Sequence, residues 1–77
     1  MTNISEISIG DAAEVVGYDP VEKGYRRKLL SMGLTKGTVF TLKKVAPMGD
    51  PVEIEVRGFQ LTLRKGEAEV LRLRKVS

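Results

Sequence analysis

Apolar residues in this chain occur in short alternating segments between turns, and this arrangement limits the folds that the chain can form. The clearest example is Val52, Ile54 and Val56, which alternate with Glu53 and Glu55. A period of two places the apolar side chains on one face of a β-strand and the charged side chains on the other. Several such strands predict an antiparallel sheet that curls into a small closed or partly closed barrel, because a barrel limits exposed edges.

Five segments have this strand pattern, and turn-forming residues separate them. The predicted strands are 10–18, 38–45, 52–57, 60–64 and 70–76. In the first strand, Ala13 and Val15 face one side, whereas Glu14 and Val16 face the other. In the last two strands the inward positions are Leu61, Leu63, Leu71 and Leu73, and the outward ones include Arg72 and Arg74.

The ends and connections of the strands carry less regular sequence. Ile4, Ile7 and Ile9 precede the first strand, and we predict that they fold back as a short turn over the core. A two-residue hairpin turn is predicted at Gly58-Phe59, where glycine comes first. Segment 65–68 is predicted to form another turn or a single turn of helix. In a chain of 77 residues, these elements predict one domain with a thin hydrophobic core.

One helix is predicted between the first and second strands. Asp19 is placed to cap its free N–H groups, Pro20 suits the first helical position and Glu22 completes a capping box. The apolar positions at helical spacing are Val21, Tyr25, Leu29 and Met32, with Leu30 alongside. This helix is therefore predicted to pack one apolar face against the sheet.

Glycine is predicted to end this helix. Gly33 suits a left-handed conformation, after which Leu34 can fold back on Leu29 or Leu30. We expect both leucines to serve the fold. Segment 35–37 then forms a tight turn that leads into the second strand.

Cysteine and histidine are both absent from the sequence. The chain therefore has no disulfide, no thiolate metal site and no imidazole to act as a general base near neutral pH. Its net charge of +3 gives a modest preference for anionic partners. No apolar run is long enough to span a bilayer, and segment 1–6 lacks the pattern of a signal peptide. We expect a cytoplasmic protein without a cofactor and without direct membrane insertion.

Signals for catalysis or metal binding are weak. No phosphate-binding loop motif is present. Glu53 with Glu55, and Glu67 with Glu69, are spaced to share one face of a strand, where acid–base chemistry could use them. A solvated outer face explains both pairs more simply. Asp50 with Glu53 and Glu55 could form an oxygen-only cation site, but a solvated loop is the favoured interpretation.

Basic residues leave a nucleic-acid-binding barrel open as an alternative. They form two groups, a helical group of Lys23, Arg26, Arg27 and Lys28 and a C-terminal group of Arg64, Lys65, Arg72, Arg74 and Lys75. Single-strand binding also needs aromatic rings on which bases stack. The aromatic residues Tyr18, Tyr25, Phe40 and Phe59 are scattered through different elements, so this pattern favours another function.

The segment 46–51 contains two prolines and is predicted to be a stiff loop, because proline cannot sit inside a sheet and restricts the free chain. It presents Met48, an apolar side chain of a type that suits partner recognition. A well-made connection without a binding role explains the same sequence equally well.

Three ordered segments resemble the signatures of the FeoA family. Segment 27–38 has an arginine shortly before Leu-Leu, followed by Met-Gly-Leu and Gly-Thr. Segment 46–51 reads Ala-Pro-Met-Gly-Asp-Pro. Arg57-Gly58 is followed by Leu61, Leu63-Arg64-Lys65 and Glu67-Ala68 at the family's spacing, and Leu71 and Leu73 fit the last strand. The resemblance runs from Ile7 onward through nearly the whole chain.

The resemblance implies a mainly β fold, a small five-stranded barrel of the Src-homology-3 (SH3) type with one α-helix inserted after the first strand. It implies a cytosolic, non-catalytic accessory of ferrous-iron uptake that works with FeoB, a membrane transporter with a GTP-binding domain. Tyr25, Arg26, Lys28 and Met48 are the candidate partner-binding residues. A related barrel in iron-dependent repressors supports the alternative of a nucleic-acid-binding or transcription-regulatory module.

Overall fold

The computed structural model describes residues 2–20 and 23–76, with the side chain of Lys23 excepted. Within these ranges the chain forms one 3-10 helix, five strands and two α-helices. In chain order these are the 3-10 helix Ile4–Glu6, β1 Ala12–Tyr18, α1 Lys23–Ser31, β2 Val39–Val45, β3 Val52–Val56, β4 Phe59–Leu63, α2 Lys65–Val70 and β5 Leu71–Lys75. Among the described residues, no helix has the length and hydropathy needed to cross a bilayer.

The five strands form one antiparallel sheet in the order β4-β3-β2-β1-β5. This confirms the predicted mainly β fold, with the main helix inserted between the first two strands. The sheet is not closed, because β4 and β5 remain its two edges. Near Leu73 the edge of β5 is covered by Thr2, whose N–H donates to the Leu73 carbonyl at 2.8 Å.

The core is a single cluster of buried apolar side chains, to which the strands, both α-helices and the 3-10 helix contribute. The inward positions of β3 are Val52, Ile54 and Val56, and they are buried as their alternation predicts. Ala13 and Val15 of β1 are fully buried in the same way. Phe40 and the leucines at 29, 34, 42, 63, 71 and 73 complete the centre of the cluster.

The hairpin between β3 and β4 turns one residue earlier than predicted. Val56 pairs with Phe59, so the central residues of the turn are Arg57 and Gly58 rather than Gly58 and Phe59. Both have positive φ, 51° and 83°, as a type I′ turn requires. In this register Leu61 lies opposite Ile54 and Leu63 opposite Val52, and a type I′ turn matches the twist of the two strands that it connects.

The N-terminal isoleucines divide between core and solvent. Ile4 and Ile7 are buried under the 3-10 turn, which confirms the predicted fold-back for these two. The prediction is wrong for Ile9, which is 62% exposed. Ser8 N–H donates to Asp11 Oδ2 at 2.7 Å and Asp11 N–H donates to the Ser8 carbonyl at 2.9 Å, so Ile9 stands at the outer corner of a closed turn.

The C-terminal end of α1 has the predicted left-handed glycine. Gly33 has φ 88°, Leu34 N–H donates to the Leu29 carbonyl at 3.0 Å, and Gly33 N–H donates to the Leu30 carbonyl at 3.0 Å. This pattern is a Schellman motif, and it places Leu34 in the core. Of the two leucines that we expected to serve the fold, Leu29 is fully buried in the core, whereas Leu30 is 40% exposed. Adjacent helical residues point about 100° apart, so the direction that buries Leu29 leaves Leu30 at the edge of the buried face.

The N-terminal end of the helix is described only in part. The contributions predicted for Val21 and Glu22 lie outside the described residues. The capping role of Asp19 stays a prediction.

Two glycines of this helical segment should respond to alanine in opposite directions. Gly33→Ala is expected to lower the free energy of unfolding by about 1–2 kcal/mol, because a Cβ atom disfavours the left-handed conformation. Gly24 lies in the helix with open space where a Cβ would be. Gly24→Ala is therefore expected to raise the free energy of unfolding by about 0.5–1 kcal/mol. Urea unfolding of both variants measures the two changes. Equal changes in the free energy of unfolding would contradict the left-handed cap assigned to Gly33.

Candidate partner-binding surface

The short helix α2 connects α1 with the proline-containing loop 46–51. On one side, a Cβ atom on Gly66 would lie 3.2 Å from Tyr25 Oη and 3.3 Å from Tyr25 Cε2, so the Tyr25 ring lies against bare backbone. On the other side, Lys65 N–H donates to Asp50 Oδ1 at 3.0 Å. The two parts of the sequence that were predicted to bind a partner are therefore joined through α2.

Glu67 of α2 holds the helix pair together. Its side chain is only 6% exposed. Oε1 accepts a hydrogen bond from Arg64 N–H at 2.9 Å, and Oε2 lies 2.5 Å from Lys28 Nζ. The hydrogen bond from Lys28, supported by the one from Arg64, holds the pKa of the Glu67 carboxyl below its ordinary value despite burial. The prediction that Glu67 and Glu69 share a solvated face is wrong, because only Glu69 is exposed.

The loop 46–51 is closed by its own hydrogen bonds. Ala46 N–H donates to the Pro51 carbonyl at 3.1 Å, and Gly49 N–H donates to the Ala46 carbonyl at 2.7 Å. Asp50 is used to bind the first turn of α2, where a carboxylate is favourable. Among the described residues, no group of three or more acidic side chains is placed to hold a metal ion. Met48 projects from this loop and is 85% exposed.

Arg26 and Tyr18 connect the outer side of α1 to β1. The Arg26 guanidinium carbon lies 5.4 Å from the centre of the Tyr18 ring, within range of a cation–π interaction. Tyr18 Oη donates to the Leu34 carbonyl at 2.5 Å. Burial raises the pKa of the Tyr18 hydroxyl, and the positive charge of Arg26 opposes this shift. These contacts fix the direction in which Arg26 leaves the helix.

Tyr25 and Lys28 contact α2, and α2 is bonded to the loop that carries Met48, whereas Arg26 lies on the side of α1 that faces Tyr18. We name residues 23–31, 46–51 and 65–70 the α1–α2–loop surface. Tyr25, Arg26 and Lys28 each contact another part of the chain while staying exposed to solvent. Met48 is the most exposed large hydrophobic side chain of the described residues. The structure therefore presents an ordered, mixed apolar and basic surface with one projecting methionine.

An apolar groove beside Met48 was not predicted. It has a volume of about 340 Å³, and Gly49, the neighbour of Met48, is part of its wall. The lining residues are Ile4, Ser5, Ile7, Val45, Gly49, Val52, Lys65 and Glu69. Its walls come from the 3-10 turn, the end of β2, the start of β3 and α2. The residues that line the groove come from separate segments of the sequence, so a pattern within one segment does not predict it. The one local indication is the apolar residue Val45 at the end of a predicted strand.

The aromatic residues do not form a platform for nucleic-acid bases. Tyr18 is covered by Arg26, Tyr25 lies on Gly66 and Phe40 is buried. Phe59 is exposed, but it lies on β4. Base stacking by successive rings is therefore not favoured by the positions of these side chains.

The five-stranded antiparallel sheet with two α-helices beside it defines a class, a small SH3-like domain, and its sequence has no nucleophile–histidine pair. The sequence matches the family model of the FeoA domain over residues 2–75. The chain belongs to the FeoA family, a family of accessory proteins associated with ferrous-iron transport. The resemblance found in the three sequence segments is thereby confirmed.

Solved structures support both the family and the fold. The FeoA-like protein of Clostridium acetobutylicum is 36% identical with a TM-score of 0.87, covering 100% of this chain and 92% of that chain. The FeoA of Stenotrophomonas maltophilia, solved in complex with zinc, is called a prokaryotic SH3 domain protein. It is 22% identical with a TM-score of 0.80, covering 96% of this chain and 91% of that chain, and it supports the fold alone.

A longer relative carries the family domain together with a transporter. It is the Fe(2+) transport protein A/Fe(2+) transporter FeoB fusion protein of Porphyromonas gingivalis, 29% identical over 75 residues. The match covers 96% of this chain and 9% of that protein. The chain therefore corresponds to a small part of that fusion protein.

Proposed function

We propose that this chain is a cytosolic accessory protein of bacterial ferrous-iron uptake that binds the cytosolic GTP-binding region of a FeoB-type transporter. The observation that carries the proposal is the fusion of an FeoA-type segment with FeoB in one Porphyromonas gingivalis protein. Joining two modules in one chain raises their effective concentration for each other. Such a fusion is useful when the two modules bind each other.

The contact that we propose uses the α1–α2–loop surface. Met48 supplies an apolar anchor, and the neighbouring groove of about 340 Å³ can receive an apolar side chain of the partner. Tyr25 and Arg26 belong to residue types enriched at interfaces, and Lys28 adds charge beside them. Because Asp50, Glu67 and the loop hydrogen bonds already hold this surface in place, little conformational entropy is lost when it binds.

Binding would act on the transporter by a shift of population. A protein that binds one conformation of the GTP-binding region more tightly than another favours that conformation by the difference in binding free energy. Under this proposal the chain needs no catalytic group of its own.

A pull-down tests the proposed contact. The purified GTP-binding region of FeoB from the same organism is immobilised and offered wild-type chain, Arg26→Glu and Lys44→Glu. We expect wild-type chain to be retained, Arg26→Glu to be retained less, and Lys44→Glu to behave as wild type. Lys44 is the matched control because it is an exposed cation on β2, outside the surface. If the wild-type chain and both variants are retained equally, Arg26 does not take part in the contact. If the wild-type chain is not retained, the proposed function is refuted.

A further inference from the structure

A basic cleft lies where the end of β1 meets α1, the turn at 35–37 and β5. It has a volume of about 250 Å³, and its cations are Arg26, Lys36 and Arg72. Asp19 also lines the cleft, which leaves positive charge in excess. The ion pairs formed among residues 2–20 and 23–76 involve Lys28, Lys43, Arg74 and Lys75, and none of them includes Arg26, Lys36 or Arg72.

The fold holds the cleft in shape before any ligand arrives. Arg26 lies over the Tyr18 ring, and Tyr18 is anchored to the Leu34 carbonyl. The pairing of β1 with β5 shifts register between Val15 and Gly17, which is a bulge of the kind that re-aims side chains. A Cβ on Gly17 would lie 4.0 Å from Arg72 Cβ, and without one the wall beside Arg72 stays open. Three elements thus bring three cations to one concave place.

We propose that this cleft binds the carboxylate side chains of an acidic segment in a protein partner. Two guanidinium groups and one ammonium group offer donors that match carboxylates, and an arginine can bind a carboxylate through two parallel hydrogen bonds. Charge complementarity of this kind increases the association rate and selects the partner more than it raises affinity. The inference goes beyond the proposed function, because this cleft shares only Arg26 with the α1–α2–loop surface and needs no transporter to be tested.

A nucleic-acid strand fits the cleft less well. The aromatic ring at the cleft is Tyr18, whose face carries Arg26 and whose hydroxyl is bonded to Leu34, so a base has no free ring on which to stack. Asp19 would also repel a continuous row of phosphates. Separate carboxylates of a flexible peptide can bind Arg26, Lys36 and Arg72 while avoiding Asp19.

The test is an NMR titration of the ¹⁵N-labelled chain with a blocked hexaglutamate peptide. We expect saturable shifts of the amides of Gly17, Lys36 and Arg72, weaker at high salt because exposed charges are screened. The double variant Lys36→Glu/Arg72→Glu should weaken binding by at least about tenfold. The double variant Lys43→Glu/Lys44→Glu carries the same change of charge on β2, outside the cleft, and should retain binding within about twofold.

Several results would overturn the inference. Shifts that persist in Lys36→Glu/Arg72→Glu, or equal shifts with a blocked hexalysine peptide, would show that the cleft does not select carboxylates. Tighter binding of inorganic phosphate or of an oligothymidine strand at the same amides would assign the cleft to a different ligand. If the transporter region is retained in the pull-down while hexaglutamate gives no shifts, the cleft is dismissed and the proposed function stands.

Discussion

Met48→Asp is expected to weaken binding of the FeoB GTP-binding region by about 30-fold or more, measured by calorimetric titration. The side chain is 85% exposed and projects from a loop that is closed by its own hydrogen bonds. In the proposed contact Met48 is an apolar anchor, and a charge at this position removes that contact and leaves a carboxylate to be desolvated. Anchors of this kind contribute about 2 kcal/mol or more to binding, which corresponds to a change in affinity of this size.

The matched control for this prediction is Phe59→Asp. Phe59 is 73% exposed and begins β4, at the end of that strand distant from α2. The same change from an apolar to an acidic side chain at this position should leave the affinity for the GTP-binding region within about threefold of the wild-type value. Both variants should unfold at nearly the urea concentration of the wild type, because exposed side chains contribute little to stability. Equal loss of binding in both variants would contradict the assigned surface.

Glu67→Ala is expected to lower the free energy of unfolding by about 2–3 kcal/mol. The substitution leaves the Arg64 N–H without its acceptor and removes the ion pair with Lys28. Hydrogen bonds to charged groups contribute about 1.5–3 kcal/mol, and the Arg64 N–H that loses its acceptor is partly buried. Because a small domain has only about 5–15 kcal/mol of stability in total, the loss should be evident in urea unfolding.

The control for Glu67→Ala is Glu69→Ala, two residues further along the same helix. Glu69 is exposed, so its removal should change the free energy of unfolding by no more than about 0.5 kcal/mol. If the two variants have equal stability, the connection of α1 to α2 through Glu67 is wrong.

The Glu67 carboxylate should also make stability depend on acid pH. Its pKa in the folded protein lies below the ordinary value of 4.5, so the unfolded chain binds a proton more readily than the folded chain. The stabilising contribution is therefore complete above pH 4.5 and is lost as the pH falls through the folded pKa. Asp11, whose pKa is lowered chiefly by its hydrogen bond from Ser8, acts in the same direction. Glu67→Gln should reduce the loss of stability on the acid side, and an unchanged pH profile would contradict this origin.

Alternation and turn chemistry predict most of this fold. The inward positions Val52, Ile54 and Val56 follow from a period of two, and the left-handed Gly33 follows from its place after the last helical turn. Two details differ from the prediction. The β3–β4 hairpin turns at Arg57-Gly58 rather than at Gly58-Phe59, and of the two neighbouring leucines of α1 only Leu29 is buried, because only the folded chain shows which side of the helix meets the sheet.

The candidate surface is harder to predict from the sequence than the fold is. Candidates Tyr25, Arg26 and Lys28 were placed on the helix correctly, but their contacts with Gly66, Tyr18 and Glu67 join elements that are distant in sequence. Glu67 appears in the sequence as one of two ordinary surface glutamates. Only the folded chain shows that it is buried between two helices. The groove beside Met48 and the basic cleft likewise gather residues from three or more elements.

Direct binding between this chain and the GTP-binding region of the transporter is the central part of the proposed function, and an NMR titration of the ¹⁵N-labelled chain with that region measures it. We predict saturable amide shifts concentrated in 23–31, 46–51 and 65–70. Absence of shifts at a large excess of the transporter region, or shifts confined to the β3–β4 hairpin, would contradict it.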